Sequence, residues 1–236
     1  MSAPQLLFSL GGLNIYLFGI MVSLGFLAGA FVALKGARRN GLDQNKALDL
    51  IIYLLAGGLA GARLLYVALN WNDYSASPLS VFSLHQGGLS FHGAVLGGVI
   101  TALIYARRQR ISFLELGDAF APGLMLGYAI GRIGCDIYGN VTNVPWAVLV
   151  EGSLRHPVQI YSALASFAIF ILLWERGKNK RFPGEILLLM AGSYSVYRFI
   201  IEFFRYDAGG LSPAQYASMV ITVAALAILA LKNKLR

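Results

Sequence analysis

Long apolar stretches alternate along this chain with short polar connections. The stretches lie at about 15–34, 48–69, 89–106, 117–135, 158–174, 184–204 and 212–231. As α-helices rising about 1.5 Å per residue, each is long enough to cross roughly 30 Å of hydrocarbon, the fifth barely so. The pattern predicts an all-α, polytopic membrane protein with seven transmembrane helices. Of the nineteen Lys and Arg residues, fourteen fall in four clusters between stretches: Lys35, Arg38, Arg39 and Lys46; Arg107, Arg108 and Arg110; Arg176, Lys178, Lys180 and Arg181; Lys232, Lys234 and Arg236. The alternate connections, about 70–88, 136–157 and 205–211, hold only Arg155 and Arg205. The positive-inside bias then predicts an external N-terminus and a cytoplasmic C-terminus.

Composition narrows the class. A chain that is 57% hydrophobic and 13% charged, with 27 glycines, is wrong for a soluble domain and ordinary for membrane helices packed through small residues. Its net charge of +8 follows from the cytoplasmic clusters, and no basic segment carries the interleaved aromatics of a nucleic-acid surface, so no nucleic acid is expected as a partner. A single cysteine, Cys135, excludes an internal disulfide and a thiolate-cluster metal site, and no metal or cofactor is expected. The first apolar run lacks a charged n-region and precedes a basic cluster, so it is expected to remain as an anchor. Residues 1–236 read as one integral-membrane domain with a small external cap at about 136–157. Gly57, Gly58 and Gly61 read as a close-packing surface, Pro122 as a residue in the first turns of the fourth span, and Glu115 and Asp118 as partners of the 107–110 basic cluster.

The charges inside the apolar stretches are different. An Arg or Asp at a helix centre costs about 2.5–3.5 kcal/mol on insertion scales and is rarely kept without a polar cavity or partner. Counted from the cytoplasmic side, Arg63 on the second span lies roughly 22 Å across, and Arg132 and Arg198 reach about the same depth. Glu202 and Arg205 lie further out, and His92 starts the third span near the outer face. Tyr194, Arg198, Glu202 and Arg205 follow at spacings of four, four and three, which places them on one helical face. An Arg198–Glu202 ion pair is the purely structural reading of that stripe. It leaves Arg63 and Arg132 without a carboxylate. A surplus of guanidinium groups at that depth points to an anionic ligand, and a phospholipid phosphate is the anion available there. His85 reads as a solvated loop residue, His156 as a helix-start residue, and Cys135 as a small apolar helix residue.

Several segments resemble one family. Gly87-Gly88-Leu89-Ser90-Phe91-His92-Gly93 is similar to the GGxSFHG segment of the bacterial prolipoprotein diacylglyceryl transferases. Gly61-Ala62-Arg63-Leu64-Leu65-Tyr66 resembles that family's GxRxxY, and Gly131-Arg132-Ile133-Gly134 resembles the opening of its GRxGNFxNxE signature. Arg155-His156-Pro157-Val158-Gln159-Ile160-Tyr161 resembles RHPxQxY, and Tyr194 through Arg205 resembles YxxxRFxxEFxR. The five matches run in family order along almost the whole chain. The resemblance implies transfer of the sn-1,2-diacylglyceryl group of phosphatidylglycerol to the lipobox cysteine of a prolipoprotein signal peptide, in the bacterial cytoplasmic membrane, with the site toward the outer leaflet. It implies His92 as the base, Arg132 and Arg198 on the phosphate, Glu202 orienting an arginine, and Tyr194 bonding the headgroup. Arg63, Arg205 and Asn140 join the substrate-binding set.

Departures are concentrated in the signature: its first Asn is Cys135 here, its second is Tyr138, and its Glu is Asn140. Elsewhere a family Tyr is Phe18, and a common Glu after RHPxQxY is Ser162. The alternative to a transferase is a divergent protein that binds or translocates an anionic phospholipid without chemistry. Charged groups continuing to the inner face would mark translocation, and the spans carry none below the midplane apart from interfacial groups.

Overall fold

The computed structural model describes residues 6–10, 13–75, 78–82, 87–205 and 209–234. His85 lies outside the described residues. Seven helices of 18 to 26 residues follow the seven apolar stretches: α1 (Leu17–Arg39), α2 (Gln44–Leu69), α4 (Phe91–Gln109), α5 (Phe113–Ile133), α6 (Val158–Arg176), α7 (Glu185–Glu202) and α8 (Pro213–Lys234). A five-residue α3 (Trp71–Ser75) follows α2. Two short antiparallel hairpins are added to this helical frame: β1 (Leu6–Leu10) with β2 (Leu13–Tyr16), and β3 (Val148–Val150) with β4 (Ser153–Arg155). Helices α1, α2, α6 and α8 are long and apolar enough to cross a membrane. The other three long helices carry His92, Arg132, or Arg198 and Glu202, side chains that dilute their hydropathy.

The chain forms two compact units, one of residues 1–40 and 117–236 and one of residues 41–116. In the first, α1 meets α5 backbone to backbone. A Cβ added at Gly25 would strike the carbonyl of Gly127, and one at Gly29 the carbonyl of Gly123. Helices in lipid gain nothing from burying apolar surface against each other, so this close approach is the way they hold. Ala121 and Met125 of α5, Ile169 and Leu173 of α6, and Ile186 of α7 form a buried cluster, flanked by Tyr194 and Tyr197.

Asp118 departs from its expected role. It is fully buried, and its carboxylate accepts from Gly184, Ile186 and Leu187 backbone N–H groups at 2.8–3.0 Å and from Lys180 Nζ at 3.2 Å. Instead of pairing with Arg107–Arg110, it caps the start of α7, satisfying amides that a helix cannot pair internally. Pro122 also differs. Because α5 begins at Phe113, the proline sits in mid-helix and removes one intrahelical bond.

The second unit is built on α2 against α4. Gly57 and Gly61 face Gly97 and Gly93 so closely that a Cβ at any of the four would meet the other helix, while Gly58 has only ordinary contact. Asp43 caps α2 through the N–H groups of Asn45 and Lys46, and Ser90 caps α4 through that of Gly93.

Candidate active site

In the second unit the Gly61-to-Tyr66 and Gly87-to-Gly93 motifs fold onto one another. Gly87 and Gly88 both have positive φ, at 81° and 77°, a region open to glycine and strained for other residues. That turn aims their carbonyls at Arg63, whose Nη1 donates to both at 2.8 and 3.0 Å. Arg63 Nε donates to Val81 O at 2.7 Å and Nη2 to Ser80 O at 2.9 Å. The guanidinium is buried, lies 5.2 Å from the Tyr74 ring, and is engaged by backbone oxygens, where the sequence suggested an anion. A side chain at Gly88 would collide with Arg63 and Tyr66. The Ser90 N–H bonds Ala62 O at 3.0 Å. His92 follows, exposed on the first turn of α4, with its ring edge-on to Phe91 at 5.9 Å.

In the first unit, α5 and α7 supply the remaining charges. Arg198 and Glu202 form the ion pair that their spacing suggested, and Arg205 Nη1 lies 3.7 Å from the same carboxylate. Helix α7 stops at Glu202, so Arg205 reaches Glu202 from the turn beyond. On α5, Arg132 Nη1 donates to Cys135 Sγ at 3.0 Å, and its Nε is buried with no hydrogen-bond partner among the described residues. Cys135 lies past the end of α5, not within the helix, and acts as a weak acceptor for Arg132. Tyr194 stands edge-on to Tyr128 at 5.7 Å and beside Tyr197 at 5.7 Å. One end of this unit thus gathers Arg132, Tyr194, Arg198, Glu202 and Arg205.

The segment 136–157 is ordered around that end. Glu151 and Gly152, with φ of 48° and 80°, make the two-residue turn joining β3 to β4, the left-handed pair that a tight hairpin requires. Asn140 N–H bonds Phe204 O at 2.8 Å and its carbonyl accepts from His156 N–H at 3.1 Å, which ties it to the residue before Arg205. Gly139 N–H bonds His156 O at 2.8 Å, and Arg155 Nη1 donates to Gly139 O at 3.2 Å. Burial, reinforced by Asp136 and Cys135, pushes the Tyr138 phenol above its usual value, so it stays a neutral donor. His156 packs on Tyr161 and Phe204, its Nδ1 3.2 Å from the Tyr161 hydroxyl, which accepts from Trp146 Nε1 at 2.6 Å. These rings line one end of an apolar groove of about 700 Å³ running between α6 and α7 past Ala165, Ala168, Val196 and Tyr197.

Neither Tyr128 nor Tyr197 was singled out by sequence, although Tyr128 precedes Arg132 by one helical turn and shares its face. That spacing was the available signal.

Seven long helices, four of them apolar enough to cross a membrane, define a helical membrane protein; one unit gathers arginines around a glutamate, and the other holds a glycine-shaped turn before a histidine. The profile of the family described as prolipoprotein diacylglyceryl transferase matches residues 5–231. The chain is 35% identical over 217 residues to a phosphatidylglycerol–prolipoprotein diacylglyceryl transferase of Clostridioides difficile (strain 630), covering 90% of this chain and 88% of that one. It is 35% identical over 235 residues to the Finegoldia magna protein of the same name, covering 96% and 94%, and 36% identical over 209 residues to that of Geobacter sulfurreducens, covering 84% and 80%. This chain belongs to the prolipoprotein diacylglyceryl transferase family.

Proposed function

We propose that the protein transfers the sn-1,2-diacylglyceryl group of phosphatidylglycerol to the thiol of a prolipoprotein lipobox cysteine, in the outer half of a bacterial cytoplasmic membrane. The observation that carries this reading is the guanidinium surplus. Arg198 and Arg205 share the single carboxylate of Glu202, and Arg132 keeps a buried Nε without a partner among the described residues. Buried donors of this kind suit a phosphate diester, which guanidinium binds through paired N–H groups. The names of the relatives agree with it.

In the reaction, the thiol proton passes to His92, whose exposed imidazole stands at the start of α4. The sulfur forms a C–S bond to the glyceryl carbon as the C–O bond to phosphate breaks. The electron pair departs on the phosphate oxygen, and glycerol phosphate is released. Arg132 and Arg198 neutralise the charge that develops there, an electrostatic role fixed in place before the reaction. Glu202 holds Arg198 and Arg205, Tyr194 bonds the headgroup, and Asn140 joins in binding the substrate. Arg63 serves substrate binding through Ser80, Val81, Gly87 and Gly88, whose carbonyls its guanidinium engages ahead of His92.

Seven spans with the N-terminus outside fit the positions of the basic residues. Arg38 and Arg39 end α1, Arg107 and Arg108 end α4, Arg176 ends α6, and Lys232 and Lys234 end α8. In the test, purified protein is incubated with phosphatidylglycerol and a lipobox peptide, and product is read by mass spectrometry. Peptide heavier by one diacylglyceryl group is expected, and none from His92→Ala protein expressed at the wild-type level. No product from the wild type overturns the transfer reading, whereas normal turnover by His92→Ala overturns only the assignment of the base.

A further inference from the structure

The groove of about 700 Å³ between α6 and α7 has no part in the chemistry above. One helical face of each helix walls it, with Tyr161, Ala165 and Ala168 on α6 and Ser193, Tyr197 and Ile201 on α7. Small residues on α6 make the space. Leu164 and Phe167, the sequence neighbours of those alanines, stand outside the groove, 65% and 46% exposed.

The two ends of the groove differ. At one, the rings of Tyr161 and Phe204 lie 5.8 Å apart, and Ile201 and Phe204 each immediately precede a member of the charged cluster, Glu202 and Arg205. The groove therefore opens beside the arginines through continuity of the chain itself. At the other end stand Ala168 and Ser193. The polar groups along the walls are bonded within the protein: Trp146 Nε1 donates to the Tyr161 hydroxyl at 2.6 Å, the Tyr197 hydroxyl to Ser162 Oγ, and the Ser193 hydroxyl to Leu189 O of its own helix. What remains for a ligand is hydrocarbon contact. Length narrows the kind of hydrocarbon. The seven residues from Tyr161 to Ala168 and the eight from Ile201 back to Ser193 rise about 10 and 12 Å. That approaches the roughly 15 Å of one leaflet's hydrocarbon, whereas a helical peptide crossing the bilayer would run on past Ala168 along the whole of α6.

We propose that this groove holds one acyl chain of the donor's diacylglyceryl group, and that Ala168 and Ser193 at its far end set the length of chain accepted. The proposal rests on the transfer reading and deepens it, because the chain is joined to the glyceryl group whose phosphate the arginines bind. Hydrocarbon is as well solvated by lipid as by helix surfaces, so the groove selects by fit and adds little affinity. A chain too long for the space has to bend out of it or part its walls.

The test measures transfer to a lipobox peptide from distearoyl and from dilauroyl phosphatidylglycerol in mixed micelles and takes the ratio of the two kcat/KM values. Ala168→Leu fills the far end and should lower the distearoyl-to-dilauroyl ratio about tenfold relative to the wild type. Ala168→Val adds less volume, should shift the ratio about threefold in the same direction, and serves if the leucine variant fails to fold. An equal loss for both donors overturns the proposal, since that marks a packing role. An unchanged ratio in an active variant overturns it as well, and a raised KM for the peptide beside that unchanged ratio would make the groove the seat of an apolar peptide segment. A wild-type protein that transfers from neither donor overturns the transfer reading, and the chain assignment with it.

Discussion

Arg198 and Glu202 show how little a single pair settles. Their spacing of one helical turn was legible in the sequence, and the structure joins them. A buried ion pair often barely repays the desolvation of its members, so a purely structural pair gives little reason for either residue to be there. If Arg198 also meets the lipid phosphate, its planar fork matters as much as its charge. Arg198→Lys should then reduce transfer at saturating phosphatidylglycerol by about 10², close to the effect of Arg198→Gln, because Lys keeps the charge and loses the fork. Single-turnover rates on folded enzyme decide the matter, and near-normal rates from both variants would leave Arg198 as a counter-ion only. Arg63 teaches the opposite lesson. Its motif was plain in the sequence, but its four carbonyl partners come from a segment 17 to 25 residues away, and no local spacing announces them.

At the scale of elements, hydropathy located every long helix to within a few residues, with the largest shifts at α1, which runs on to Arg39, and at α2 and α5, which begin at Gln44 and Phe113. Each extension carries charge, Lys35, Arg38 and Arg39 in α1, Lys46 in α2 and Glu115 in α5, and an apolar count stops at charges. Element starts depend on caps brought from elsewhere. Helix α7 opens with Gly184 and takes its cap from Asp118, 66 residues earlier. Asp118→Ala should therefore lower the thermal midpoint in detergent, at a cost of about 2 kcal/mol, because three amides and Lys180 lose their acceptor together. Asp118→Asn, which keeps one oxygen, should cost less. Equal midpoints for wild type and Asp118→Ala would show that solvent or Lys180 rearrangement serves α7 as well.

For the whole molecule, the topology proposed from the basic clusters makes a direct prediction. In a Cys135→Ala background, single cysteines introduced at Asp73 or Ser153 should react with impermeant thiol reagents from outside the cell. One at Lys178 should react only after the inner face is opened. Labelling in the reverse sense would invert the orientation and with it the placement of the site in the outer half of the bilayer.

Apolar character adds up along a chain, so the sequence by itself determined the helical class and the positions of seven long helices. The ordered motifs determined the family, because five short strings in one order carry more information than any of them alone. Hydrogen-bond partners do not add up in this way. Only the tertiary structure decided that Arg63 is held by carbonyls of a glycine turn, that Asp118 caps α7, and that Cys135 sits against Arg132. It likewise decided that Gln159 and Ser166 are buried with atoms to spare. The physical reason is the same in each case. A buried polar group must be satisfied by whatever the fold brings within about 3 Å, and that neighbour is chosen by packing between elements, not by position in the chain.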